Sequence, residues 1–240
     1  MLFLERRPAL AGVFIGTLAY KPQFGVLLPV ALLTARKWRA IASAAITVIL
    51  LVVVSVALYG TDVWAKFPRE ISTQAALNLL ADPNSQWGYL QSVYGLVRTL
   101  GGGATLASLG QAVTAFGVTI VVWFVWRSQL TFSLKAATLS TAVLLCTPYI
   151  FAYDMAAIAV PAAFLARNQL RYGVLKGELI TMIGLFAATL LALLMFRDPP
   201  VAVTFGSLPI GPAVSLVILG LILRRALHHG FRPLPAVSAA

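Results

Sequence analysis

Two groups of polar residues interrupt otherwise apolar stretches and carry side chains suited to chemistry. The first is Tyr20-Lys21-Pro22-Gln23, in the middle of an apolar segment running from about 8 to 35. A lysine near the centre of a bilayer costs about 2.5–3.5 kcal/mol on insertion scales, so it normally faces a cavity or a partner. Beside the backbone donors freed at Pro22, Lys21 and Gln23 can meet an anionic group such as a lipid phosphate. An equally good account is a lysine that snorkels to an interface from a hairpin tip. The second group is Thr147-Pro148-Tyr149-Ile150-Phe151-Ala152-Tyr153-Asp154. Tyr149 and Tyr153 are spaced i, i+4, so one helical face can present both phenols near the Asp154 carboxylate. That combination suits sugar hydroxyls, although capping of a helix that starts at Met155 explains an aspartate there by itself.

Other candidates are weaker. Asp62, Glu70 and Asp82, accompanied by Trp64, Trp87, Tyr89 and Tyr94, fall in the one long polar region. A carboxylate there can serve as general base if it reaches a substrate hydroxyl, but the spacing singles none out. The aromatic residues read as interface anchors. Gly101-Gly102-Gly103 follows no strand pattern and reads as a flexible link rather than a phosphate cradle. Cys146 is the single cysteine and reads as a packing residue. His228 and His229 are adjacent, so on a helix they point in different directions. No metal site and no cofactor are expected.

The elements that must position these groups follow from composition. Of 240 residues, 60% are apolar and 10% charged, against about 25% charged in a soluble domain. Residues 40–58 contain no ionisable side chain, a length that crosses about 30 Å of hydrocarbon as a helix. The expected fold is all-α, a polytopic transmembrane helical bundle forming a single domain over 1–240. Spans are expected at about 40–58, 104–126, 135–151, 154–167, 177–196 and 205–223, six in all, with 59–103 as an extracytoplasmic loop. That loop is expected to hold short amphipathic pieces such as 71–80. The N-terminal apolar stretch reads as retained rather than as a cleaved signal peptide.

The net charge of +11 does not indicate nucleic acid, because the basic residues form short clusters between apolar runs. Arg36, Lys37 and Arg39, then Arg167, Arg171 and Lys176, then Arg224, Arg225 and Arg232 fit cytoplasmic loops. With strict alternation, only Lys66, Arg69, Arg98 and Arg197 then lie outside, and the C-terminus is cytoplasmic. Arg6-Arg7 and Arg36 to Arg39 are too close in sequence for two full crossings, which need about 40 residues. The first segment is therefore a short hairpin turning at Lys21-Pro22-Gln23, shielded from lipid, or one kinked span.

The order of these features resembles glycosyltransferase family 87. The resemblance rests on Lys21-Pro22-Gln23 in an early apolar segment, Leu-Leu-Pro and Ala35-Arg36-Lys37-Trp38-Arg39 before a span, Tyr59-Gly60 and Trp64 opening an outer loop, and the late Thr147-Pro148-Tyr149 with Tyr153-Asp154. It runs from about Val13 to Phe164. It implies a multi-span bacterial inner-membrane hexosyltransferase, moving a hexose such as mannose from a polyprenyl-phosphate sugar to an extracytoplasmic acceptor. Lys21 and Gln23 would then bind donor phosphate, and Tyr149, Tyr153 and Asp154 would line the sugar or acceptor site. The family's usual base lies in a first outer loop that is expected to be missing from this chain. The chain is therefore expected to be a C-terminal portion, inactive alone or working with a separate N-terminal portion. The implied partners are the lipid-linked donor and membrane lipid. The rival readings are a small-molecule transporter subunit, with Lys21 and Asp154 on a substrate path, and a non-catalytic scaffold.

Overall fold

Pro22, Pro148 and a few glycines divide the chain into helices, because each removes a helical hydrogen bond or favours a non-helical backbone. The computed structural model describes residues 3–75, 89–195 and 208–228. Asp82, Trp87, Arg197, His229, Arg232 and the 76–80 half of the expected 71–80 piece lie outside them. Among the described residues the elements are helical: α1 (Pro8–Gly16), α2 (Leu28–Thr34), α3 (Trp38–Tyr59), α4 (Thr61–Ala75), α5 (Val93–Thr99), α6 (Ala104–Arg127), α7 (Phe132–Cys146), α8 (Ala159–Tyr172), α9 (Glu178–Met195) and α10 (Gly211–His228). Short 3-10 helices at Thr17–Tyr20, Pro22–Phe24 and Ala152–Ile158 join some of them.

The first segment is a hairpin. A Cβ on Gly12 would strike Ser43 Oγ at 1.9 Å and the Ala40 carbonyl at 2.3 Å, and one on Gly16 would strike Thr47 Cβ at 2.5 Å. Small residues four apart thus bring the α1 and α3 backbones into close contact. Because Gly12 meets Ala40 and Gly16 meets Ala44 and Thr47, the two helices run in the same direction. The chain between them must double back, which excludes the kinked-span alternative. Lys21 is forced out of helical geometry by the proline that follows it, with φ −136° and ψ 73°.

Among the described residues, three helices are long and apolar enough to cross a membrane: α3, α6 and α10. Of these, α3 buries only Ala40 and presents Ile46, Ile49, Leu50, Val53, Val54 and Leu58 outward, a surface suited to lipid rather than water. The centre of the bundle is α7, buried from Leu134 through Leu145 on nearly every side. It packs with Val118, Val122 and Val125 of α6, Leu165 of α8, Ile218 and Ile222 of α10, and Ala31 and Leu32 of α2 in one core. At about 1.5 Å per residue its 15 residues fall short of 30 Å. The expected span at 154–167 begins instead as the 3-10 helix Ala152–Ile158 and continues as α8.

Arg225 is not a loop charge. Its side chain is fully buried in the last turns of α10, where Nε and Nη2 donate to the two oxygens of Glu178 at 2.7 Å each. Nη1 donates to Asn168 Oδ1 at 2.6 Å, and Nη2 also reaches the Gly173 carbonyl. Glu178 accepts further bonds from Gln169 Nε2 and the Leu175 N–H. This network ties α8, α9 and α10 together at one end of the bundle.

Gly101-Gly102-Gly103 is likewise more than a flexible link. Gly101 adopts φ 87°, its N–H donates to the Arg98 carbonyl and the Gly102 N–H donates to the Val97 carbonyl. These are the paired bonds of a Schellman cap closing α5, for which glycine is the residue of lowest strain.

Candidate functional site

The two polar groups of the sequence meet in space. Pro148 holds Thr147 in extended geometry, φ −96° and ψ 136°, and so ends α7 at Cys146. The extended stretch that follows bridges Phe151 to Leu90, and the Gln91 N–H donates to the Ile150 carbonyl at 2.6 Å. Residues 152–158 then turn into a 3-10 helix whose third residue is Asp154. Asp154 Oδ2 accepts the Phe151 N–H at 3.2 Å, while the Asp154 N–H donates to the Phe151 carbonyl. The aspartate therefore does stabilise a helix start, one turn earlier than a helix beginning at Met155.

Its other oxygen, Oδ1, accepts a hydrogen bond from Lys21 Nζ at the tip of the N-terminal hairpin, 133 positions away in sequence. The ammonium also lies 4.8 Å from the centre of the Tyr153 ring and 5.2 Å from that of Phe24, the geometry of cation–π attraction. Tyr153 is itself stacked on Phe151 with centroids 5.6 Å apart. The Asp154 side chain is 3% exposed and that of Lys21 26%, so the lysine is the open member of the pair. Gln23 sits half-buried in the adjoining turn Pro22–Phe24.

Tyr149 and Tyr153 do not share a helical face, contrary to the i, i+4 reading, because 147–151 is extended rather than helical. Tyr153 accompanies Lys21. Tyr149 instead lines a separate cavity of about 360 Å³ with Leu90, Tyr94, Ser108, Gln111 and Cys146. Burial pushes the Tyr94 phenol above its usual pKa, only partly opposed by Arg98, so it stays protonated. An apolar groove of about 320 Å³ is lined by Leu18, Phe24 and Leu28 of the hairpin and by Leu139, Val143 and Phe164 of α7 and α8; Phe24, whose ring the Lys21 ammonium faces, forms part of its wall.

Two positioning residues escaped the sequence reading. Gln111, in the apolar α6, accepts the Tyr94 N–H through Oε1 and donates through Nε2 to the Leu145 and Cys146 carbonyls at 2.9 and 3.0 Å. It joins α5 to the end of α7. Gln91 Oε1 accepts the Gly211 N–H and so fixes the start of α10 beside the extended stretch. The available signal was an amide inside an apolar run at Gln111. Among the described residues no group of His, Cys, Asp and Glu suits a metal ion.

No curated protein and no solved structure matches the chain. A family model does match, over residues 1–148. That region contains the hairpin, Lys21, α3, α6, α7 and Gln111, and it stops short of Tyr149, Tyr153 and Asp154. The all-helical architecture with its apolar helices fits a membrane protein, and the family implies sugar transfer from a lipid-linked donor. The chain belongs to glycosyltransferase family 87.

Proposed function

We propose that this protein takes part in moving a hexose, with mannose the first choice, from a polyprenyl-phosphate donor to an extracytoplasmic acceptor. The observation that carries this reading is the partly exposed Lys21 side chain, whose ammonium faces Phe24, one wall of an apolar groove. A lipid phosphate needs a cation for its headgroup and an apolar channel for its chain. Lys21 has three N–H donors, one of which is committed to Asp154. The others are available to phosphate oxygens, with Gln23 in the adjoining turn, and they would stabilise the phosphate as the sugar leaves. Asp154 keeps the ammonium aimed and charged in an apolar setting. Tyr153 lies over the same cation and offers a phenol to the donor sugar, while the cavity of Tyr149, Tyr94 and Ser108 suits hydroxyls of an acceptor.

In this scheme the bundle crosses a bacterial inner membrane six times, with the hairpin re-entering from the cytoplasm and the C-terminus cytoplasmic. The placement of Arg36 and Lys37 before α3, of Arg127, Arg171 and Arg224 in the last turns of α6, α8 and α10, and of Lys176 before α9 supports that orientation. The test is photocrosslinking with a polyprenyl-phosphate hexose carrying a photoreactive group in its lipid, applied to the chain in membranes. Lys21→Gln should lower labelling by roughly ten- to hundred-fold, the loss expected for a hydrogen bond to a charged group, and Lys21→Arg should retain most of it. Labelling of Lys21→Gln equal to wild type would overturn the proposal.

A further inference from the structure

Helix α4 follows α3 after a sharp corner at Gly60, which has φ 79° and open space around it. Its apolar and charged side chains fall in two separate sectors by helical position. Val63, Trp64 and Phe67 fall within about 100° of one another around the axis, and Asp62, Lys66, Arg69 and Glu70 fall within a second sector of about 100°, centred about 120° away. Every residue from Thr61 to Glu70 is exposed, so the apolar face has no cover from the rest of the described chain. Val63 and Phe67 are each about half exposed, the rings of Trp64 and Phe67 are 5.8 Å apart, and Trp64 Nε1 reaches Ser55 Oγ on α3. That last contact makes the apolar face of α4 continuous with the outward wall of Val53, Val54 and Leu58 on α3. In water such a face would be costly.

We propose that α4 lies in the plane of the bilayer surface, with Val63, Trp64 and Phe67 sunk to the acyl boundary and the charged face among the phospholipid headgroups. The partner is the leaflet that α3 reaches at Tyr59. Four features fit an interfacial helix: segregated faces, a balanced set of two acids and two bases for a zwitterionic surface, aromatic residues at the boundary, and continuity with a span.

The test uses single cysteines at Val63, Phe67, Asp62 and Lys66 in a Cys146→Ser background, spin-labelled in vesicles of phosphatidylethanolamine and phosphatidylglycerol. Labels at 63 and 67 should be relaxed more by oxygen than by a water-soluble nickel chelate, and labels at 62 and 66 the reverse. Nickel-dominated relaxation at all four positions would sink the idea, as would shielding of 63 and 67 from both reagents, which would mean a protein cover. Should the cysteine variants fail to insert, quenching by brominated lipid of wild type less that of Trp64→Phe reads the same depth. Equal quenching of the two would again refute it. The outcome does not depend on sugar transfer.

Discussion

Replacing Glu178 by glutamine keeps its shape and removes its charge, which leaves Arg225 as a buried cation without a carboxylate partner among the described residues. Both side chains are 0% exposed, so solvent cannot take over. Breaking a pair of this kind costs about 3–5 kcal/mol, and the amide of glutamine still accepts one bond, which favours the lower end. A loss of about 3 kcal/mol lowers the folded population relative to the unfolded by about two orders of magnitude. Arg225→Met leaves Glu178 buried with only Gln169 Nε2 and the Leu175 N–H as donors, and should cost a similar amount. The double variant Arg225→Met with Glu178→Leu removes both charges. It should be more stable than the two single losses added together, by at least about 2 kcal/mol, although Asn168 and the Gly173 carbonyl remain short of a partner. The measurement is unfolding in mixed micelles titrated with dodecyl sulfate, followed by circular dichroism. Gly211 and Arg225 are separated along α10 by about 20 Å, so donor labelling per folded molecule should not change in any of the three. A loss below about 1 kcal/mol in Glu178→Gln, the range of an exposed pair, or strict additivity in the double variant, would refute the reasoning.

Other perturbations separate the parts of the structure. Gly12→Val should push α1 off α3, since even a Cβ meets Ser43 and Ala40 well inside contact distance; a destabilisation of about 1–3 kcal/mol is expected, read by the same titration, with Gly117→Ala as the harmless control because nothing lies within 4 Å of a Cβ there. Gln111→Leu leaves the Tyr94 N–H and the carbonyls of Leu145 and Cys146 without the amide and should cost about 1–3 kcal/mol, while raising the rate at which Cys146 is alkylated. A cysteine at Gln23, in a Cys146→Ser background, should react with an impermeant maleimide from the extracytoplasmic side; reaction only from the cytoplasm would overturn the orientation.

Much of this fold was legible because the bilayer imposes a simple rule. The uninterrupted run at 40–58 predicts α3 almost to the residue, and the run at 104–126 predicts α6. The interruption at Lys21-Pro22-Gln23 marks the hairpin turn, since the residue before a proline leaves the helix. What stayed hidden depends on contacts between distant segments. The pairing of Lys21 with Asp154 joins two groups that sequence treats as independent. Tyr149 was misplaced because i, i+4 spacing has meaning only inside a helix, and Pro148 prevents one there. Arg225 was misread because a basic residue at the end of an apolar run looks the same whether it reaches water or a buried carboxylate. Its signal was Glu178, an acid at the start of an apolar helix.

The two ion pairs therefore use similar chemistry for different ends, and exposure tells them apart. Arg225 directs Nε, Nη1 and Nη2 to Glu178, Asn168 and Gly173 and touches no solvent, so it has nothing left to offer a ligand and acts as a clasp on α8, α9 and α10. Lys21 holds a single carboxylate oxygen, rests against two ring faces and keeps about a quarter of its side chain open. A lysine needed only to pin the hairpin would be stabilised further by more acceptors around it, as the guanidinium is. Its unspent donors, facing a wall of an apolar groove through Phe24 and in the region matched by the family, are the physical reason for proposing ligand binding at Lys21, while Arg225 serves stability.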